Sequence, residues 1–218
     1  MRTGSSSRLA IAALLAGNAV PLVGVLTLGW SAHSVLVVYW LESGAVGAIS
    51  ALKILRAEGP DDPDALPSMR FNDRSVASFV GSPNRRVARF FVSHYGGFWA
   101  VHGVFVLVFA ATFPLPFASP TDVALAAVGF VAYHAVSYHR NFVAGREFER
   151  NGPVTLMIEP YRRVLVLHVT IVFGFFAVGS VGAPVGALVV MVLAKTALDL
   201  RGHWREHDRA KVSGPAGT

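Results

Sequence analysis

Glu42, His102 and His134 are the side chains of this sequence best suited to chemistry. Each falls near the middle of a long apolar stretch, at roughly 34–54, 90–112 and 122–143. Ionisable groups in such surroundings are costly and usually face a partner. Two imidazoles and a carboxylate suit a divalent metal such as Zn²⁺ or Fe²⁺, with one position left open for water or substrate. Glu42 is then the candidate catalytic residue, as ligand or as general base to a metal-activated water. Without a metal the same groups can pass protons or ions. The competing expectation is structural: each His neutral and hydrogen-bonded to a neighbouring helix.

A second layer lies nearer the other end of the stretches. His94, His139 and His168 form a weaker candidate metal set there, joined by Lys195 and Asp199. His94, Tyr95, Phe98 and His102 line one helical stripe. The two His are about 12 Å apart along the axis at ~1.5 Å per residue, so they belong to different layers. One metal cannot bind both, because Zn–N bonds are only ~2.1 Å long. Lys195 and Asp199 are spaced to neutralise each other within one helix. Tyr95 and Tyr138 read as packing residues. The His94/His102 spacing is short for a haem bundle, and neither Gly-x-Ser-x-Gly nor His-Glu-x-x-His occurs.

What positions these groups is a set of six apolar stretches, roughly 9–28, 34–54, 90–112, 122–143, 164–181 and 184–201. Assigning the gaps alternately to two sides puts all 19 Lys and Arg on one side. The connections near 29–33, 113–121 and 182–183 carry none. Retention of basic residues in the cytoplasm sets orientation. The expected fold is therefore all-α: one six-transmembrane-helix bundle over 1–208 in the plasma membrane, with both termini cytoplasmic. Composition agrees, with 53% hydrophobic residues, 15% charged and a mean hydropathy of +0.51, against ~25% charged in soluble domains. The lipid bilayer is the expected partner. The net charge of +6 is explained by basic helix ends, not by nucleic acid. The chain has no Cys, which removes thiolate sites and disulfides. Arg2 and Arg8 precede an apolar run longer than the ~7–15 residues of a signal peptide, so a retained first helix is expected.

The connection 57–88 begins with Glu58–Asp64, acidic, Pro-rich and expected as solvated loop. Its second half suits a short amphipathic helix on the inner surface or an irregular loop. Glu147–Pro160 reads as a polar inner loop, with Pro160 just before helix five. Residues 209–218 read as a disordered tail.

Several motifs together resemble a known family. They are Tyr39-Trp40-Leu41-Glu42, Phe90-Phe91-Val92-Ser93-His94-Tyr95-Gly96 with His102-Gly103, Pro160-Tyr161-Arg162-Arg163-Val164 with His168, and Lys195-Thr196 with Asp199-Leu200-Arg201. They resemble an uncharacterised family (domain of unknown function) of polytopic membrane proteins found in halophilic archaea and some bacteria. The resemblance spans about residues 10 to 207. It implies a membrane protein of unknown function and carries over no catalytic residue.

The charge partition makes a direct prediction. A single Cys introduced at Ser75 should resist an impermeant thiol reagent in intact cells and react once the membrane is opened. Labelling from outside would invert the topology.

Overall fold

The structure, a computed structural model, describes residues 23–24, 27, 29–71, 73–112, 119–161 and 164–165. Most of the stretches 9–28 and 164–181, all of 184–201, and with them His168, Lys195, Asp199 and the tail, lie outside the described residues.

Three long helices dominate. Helix α1 spans Ala32–Arg56. Ser31 opens it, its Oγ accepting the Ser34 N–H at 3.1 Å, which satisfies one of the orphan donors of a helix start. Lys53 and Arg56 sit in its last turn, where cations favour the helix dipole. Helix α2 spans Asn84–Thr112. It starts well before residue 90 because apolarity marks where hydrocarbon could begin, whereas Arg85, Arg86 and Arg89 are good helix formers. Its first residue closes α1: the Asn84 side-chain amide donates to the carbonyls of Leu55 at 3.3 Å and Ala57 at 2.7 Å. Helix α3 spans Pro120–Ser137 and has Ser119 as cap, Pro120 at its first position and Asp122 in its first turn. All three are favoured at helix starts.

Two helices, over His33–Arg56 and Asn84–Val108, are long and apolar enough to cross a membrane. Only 33% and 28% of their apolar windows are buried within the chain. Core helices of soluble proteins are mostly covered, whereas these two present much of their apolar surface outward. Leu107 on α2 and Leu125 and Val128 on α3 are each more than 60% exposed.

Helix α3 continues into a π-helical segment, Tyr138–Ala144. The Gly145 N–H reaches the Arg140 carbonyl, five residues back, at 3.0 Å. The wider turn re-aims the residues after Ser137, and Phe142 becomes fully buried. Such segments are rare and cluster at functional sites.

The segment between α1 and α2 is more ordered than its composition suggests. Arg70–Phe71 (β1) and Arg74–Ser75 (β2) pair antiparallel, Arg70 opposite Ser75 and Phe71 opposite Arg74. Asp73 takes a positive φ of 65° in the turn, as tight hairpins require. A 3₁₀ turn, Val76–Phe79, follows, capped by Ser75 Oγ. The hairpin and turn stand where an amphipathic helix or an irregular loop was expected. Phe71, Val76 and Phe79 are buried with Val87 and Phe91 of α2 in one apolar cluster.

Two expectations need correction. Glu147–Pro160 is not a polar loop. It holds a 3₁₀ turn, Glu147–Glu149, and a helix over 153–161, α4, in which Val154, Leu156 and Met157 are buried. Pro160 lies within that helix. Pro153, at the first helical position, was the sequence signal. Nor is Glu58–Asp64 wholly solvated. Asp61 accepts the backbone N–H groups of Val154 at 3.2 Å and Thr155 at 2.8 Å, and the Thr155 hydroxyl at 2.9 Å. It caps a helix 93 residues away. Gly152 is obligatory there, because a Cβ would overlap the Asp61 carboxylate. Glu58 and Gly59 also donate backbone bonds to the Phe148 carbonyl at 2.8 and 3.1 Å.

Losing a helix cap costs about 0.5–2 kcal/mol, and this carboxylate accepts three bonds. Asp61→Ala should therefore lower stability by about 2 kcal/mol, with Asp61→Asn losing less. Thermal unfolding, together with protease cleavage within 58–66, measures both.

Candidate functional site

The candidate site is built where α1, α2 and α3 meet, and two tryptophans set its spacing. Trp40 of α1 and Trp99 of α2 stack with ring centroids 4.5 Å apart and planes 9° from parallel. Each indole N–H donates to the other residue's backbone carbonyl at 2.9 Å. Each ring also lies over a glycine one turn along the opposite helix: Trp99 over Gly44, Trp40 over Gly103. A Cβ at either glycine would fall within 2.8 Å of the facing ring. The arrangement is a local two-fold. The sequence carries its signal as a repeated aromatic-Trp-x-x-x-Gly, Tyr39 to Gly44 and Phe98 to Gly103, which was not read as a repeat.

One turn further in, Tyr95 continues the seam. Its hydroxyl donates to the Ser43 carbonyl at 2.8 Å, and its ring lies over Gly47. Small residues on α1 let the aromatic stripe of α2 approach closely, the usual solution where helices pack without a hydrophobic drive. Tyr95 is thus more than filler: it adds an interhelical hydrogen bond. Tyr138 stacks on Phe142 with centroids 5.3 Å apart.

This frame brings two of the three mid-depth groups together. Glu42 Oε1 of α1 lies 3.6 Å from His134 Nε2 of α3, with side chains 16% and 13% exposed. The separation is that of an ion-pair contact and is longer than a hydrogen bond. His102 is buried on α2. Its Nδ1 sits 2.7 Å from the Phe98 carbonyl. A carbonyl only accepts, so Nδ1 carries the proton and Nε2 keeps a lone pair when the ring is neutral. Among the described residues, no three His, Asp or Glu side chains gather closely enough to hold a metal ion. Glu42 and His134 are a pair, and the described residues add no third ligand in one cluster.

The second layer is dispersed in the same sense. His94 Nδ1 lies 3.0 Å from the Tyr161 hydroxyl. Its ring is enclosed by Phe71 of the hairpin and by Phe90, at centroid distances of 4.6 and 5.5 Å. Burial, and secondarily the neighbouring Tyr95, hold the Tyr161 phenol well above its usual range, so it stays protonated beside His94. His139 is exposed on the π-helical segment. His168 lies outside the described residues. Lys53 instead bridges to Glu147 at 3.7 Å and covers the Phe142 ring at 5.1 Å, pinning the inner end of α1 to the π-helical segment.

Glu42 borders an open groove of about 480 Å³, walled by Trp99, Tyr95 and Val131 and floored by Gly44, Gly47 and Ala48. Among the described residues, the carboxylate is its one charged lining residue.

Among the described residues, apolar outward faces and an acid–imidazole contact between α1 and α3 define a helical protein with two candidate membrane-spanning helices and a partly buried ionisable pair. A model for a family of unknown function (DUF6498) matches residues 1–216, and the chain belongs to that family. No curated protein and no solved structure matches the chain.

The two-fold clasp predicts an order of effects. Trp99→Phe keeps the stack and loses one interhelical hydrogen bond, worth about 0.6 kcal/mol on average between membrane helices. Gly103→Leu pushes the Trp40 ring away and should cost several times more, through lost stacking and overpacking. Thermal unfolding of the two variants beside Gly103→Ala checks the ranking.

Proposed function

We propose that this chain is a six-span integral protein of the plasma membrane, with both termini cytoplasmic, in which Glu42 and His134 bind and release a proton as the coupling element of a small proton-coupled transporter. The observation that carries the reading is the 3.6 Å approach of the two side chains, both largely covered, between α1 and α3. The one-sided Lys and Arg distribution and the uncovered apolar faces of α2 and α3 support the membrane setting.

Magnitudes favour exchange over a permanent ion pair. A charged side chain at membrane depth costs about 2.5–3.5 kcal/mol on the lenient insertion scale. Two opposite charges about 4 Å apart recover about 4 kcal/mol at an effective dielectric of 20. Paired charges and a neutral acid–imidazole pair are then close in energy, so a modest change in surroundings moves the proton. The adjoining groove gives Glu42 a face toward a bound molecule. A metal centre would need at least one further donor beside the pair, which the described residues do not bring to it.

Infrared titration of protein in liposomes tests the assignment. Acidification should raise a protonated carboxylic-acid band that is absent from Glu42→Gln and shifted in titration by His134→Gln. Proton uptake by the same liposomes should fall at least tenfold in Glu42→Gln and stay near wild type in Asp199→Asn at equal expression. An unchanged Glu42→Gln protein in both measurements would make the pair structural.

A further inference from the structure

The groove beside Glu42 does not end at its own walls. A second groove of about 700 Å³ opens toward the inner end of α1 and α2. The two share Ala51 and Val92. Together they run from Arg85 and Arg89 to Gly44 and Trp99. Leu55, which lines the inner groove, lies 11 residues from Gly44, about 16 Å at the helical rise. One leaflet of a ~30 Å hydrocarbon core has nearly that depth.

Chemistry changes along this length. The upper part is apolar apart from Glu42 at its border, and floored by Gly and Ala. At the inner end, Arg85 and Arg89 stand four residues apart on α2, on one helical face. Both are exposed. Among the described residues, neither guanidinium is in a hydrogen bond or ion pair. Arg is the residue of choice for phosphate, which its planar fork holds with two bonds. Arg86 is equally exposed but does not line the groove.

We infer that α1 and α2 hold one anionic phospholipid of the inner leaflet, its phosphate between Arg85 and Arg89 and one acyl chain lying over Ala51, Ala48 and Gly47 toward Trp99. The charge of the arginines selects the head group, and the small residues make room for the chain. The inference rests on the membrane reading proposed above, which sets the arginines at the cytoplasmic surface.

The test uses the full chain in vesicles, with the intrinsic tryptophan emission quenched by phospholipid brominated near its chain ends. Phosphatidylglycerol and phosphatidylcholine carrying the same brominated chains are compared at equal mole fraction. Quenching should prefer the anionic lipid by about tenfold in apparent affinity, as two basic side chains near an anionic head group allow. The double variant Arg85→Gln/Arg89→Gln should abolish the preference, Ala51→Leu should block access of the chain, and Arg86→Gln should change nothing. Equal quenching by both lipids in the wild-type protein overturns the site without needing any variant to fold. So does a preference that survives the double variant, or one that millimolar inorganic phosphate removes, since that marks a free-anion site. Flotation with the vesicles separates the two readings: protein that floats without head-group preference loses only the lipid site, whereas protein that does not float loses both.

Discussion

Inside hydrocarbon no water is available to satisfy a polar group, and each unmet donor costs several kcal/mol. The Trp40–Trp99 clasp leaves neither indole donor at the α1–α2 seam dependent on solvent. Each indole N–H is spent on the facing helix, so neither helix can shift or rotate without exposing both. The glycines opposite set how near the helices come, and Tyr95 repeats the device one turn away on the Ser43 carbonyl. Everything at mid-depth inherits this spacing. Glu42 follows Trp40 by two residues, so its position relative to α3 is fixed by the ring that stacks on Trp99.

Among the described residues the polar cluster is a pair, and the helix arrangement accounts for it. Helix α1 is the middle member, with α2 on one side and α3 on another. Glu42 meets His134 of α3, while the Nδ1 of His102 turns back along its own helix to Phe98. Similar depth on three helices is therefore weaker information than it looks: angle about each helix axis decides which groups touch.

The three long helices of the described region were legible in the sequence because apolar length is a local signal. The intramembrane acid and its imidazole neighbours stood out for an equally local reason, being costly residues in apolar runs. What stayed hidden depends on distance along the chain. Asp61 looked like part of a solvated acidic loop because its three donors lie 93 and 94 residues on. Residues 153–161 read as loop because Pro160 suggested a later helix start, and burial of Val154 and Met157 against α2 has no periodic trace in so short a segment. The hairpin over 70–75 is only two residues per strand, too short for alternation to show. Most of the stretches 9–28 and 164–181, all of 184–201, and His168 lie outside the described residues.

The long reach of Asp61 has a consequence for biogenesis. Asp61 leaves the ribosome 93 residues before Val154, with α2 and α3 still to be made. At about 5–20 residues per second, the cap waits on the order of 5–20 seconds for its helix. During that interval the 58–64 segment has no backbone donors from 154 and 155 to bind. This contact therefore closes late in synthesis, after α2 and α3 have been made.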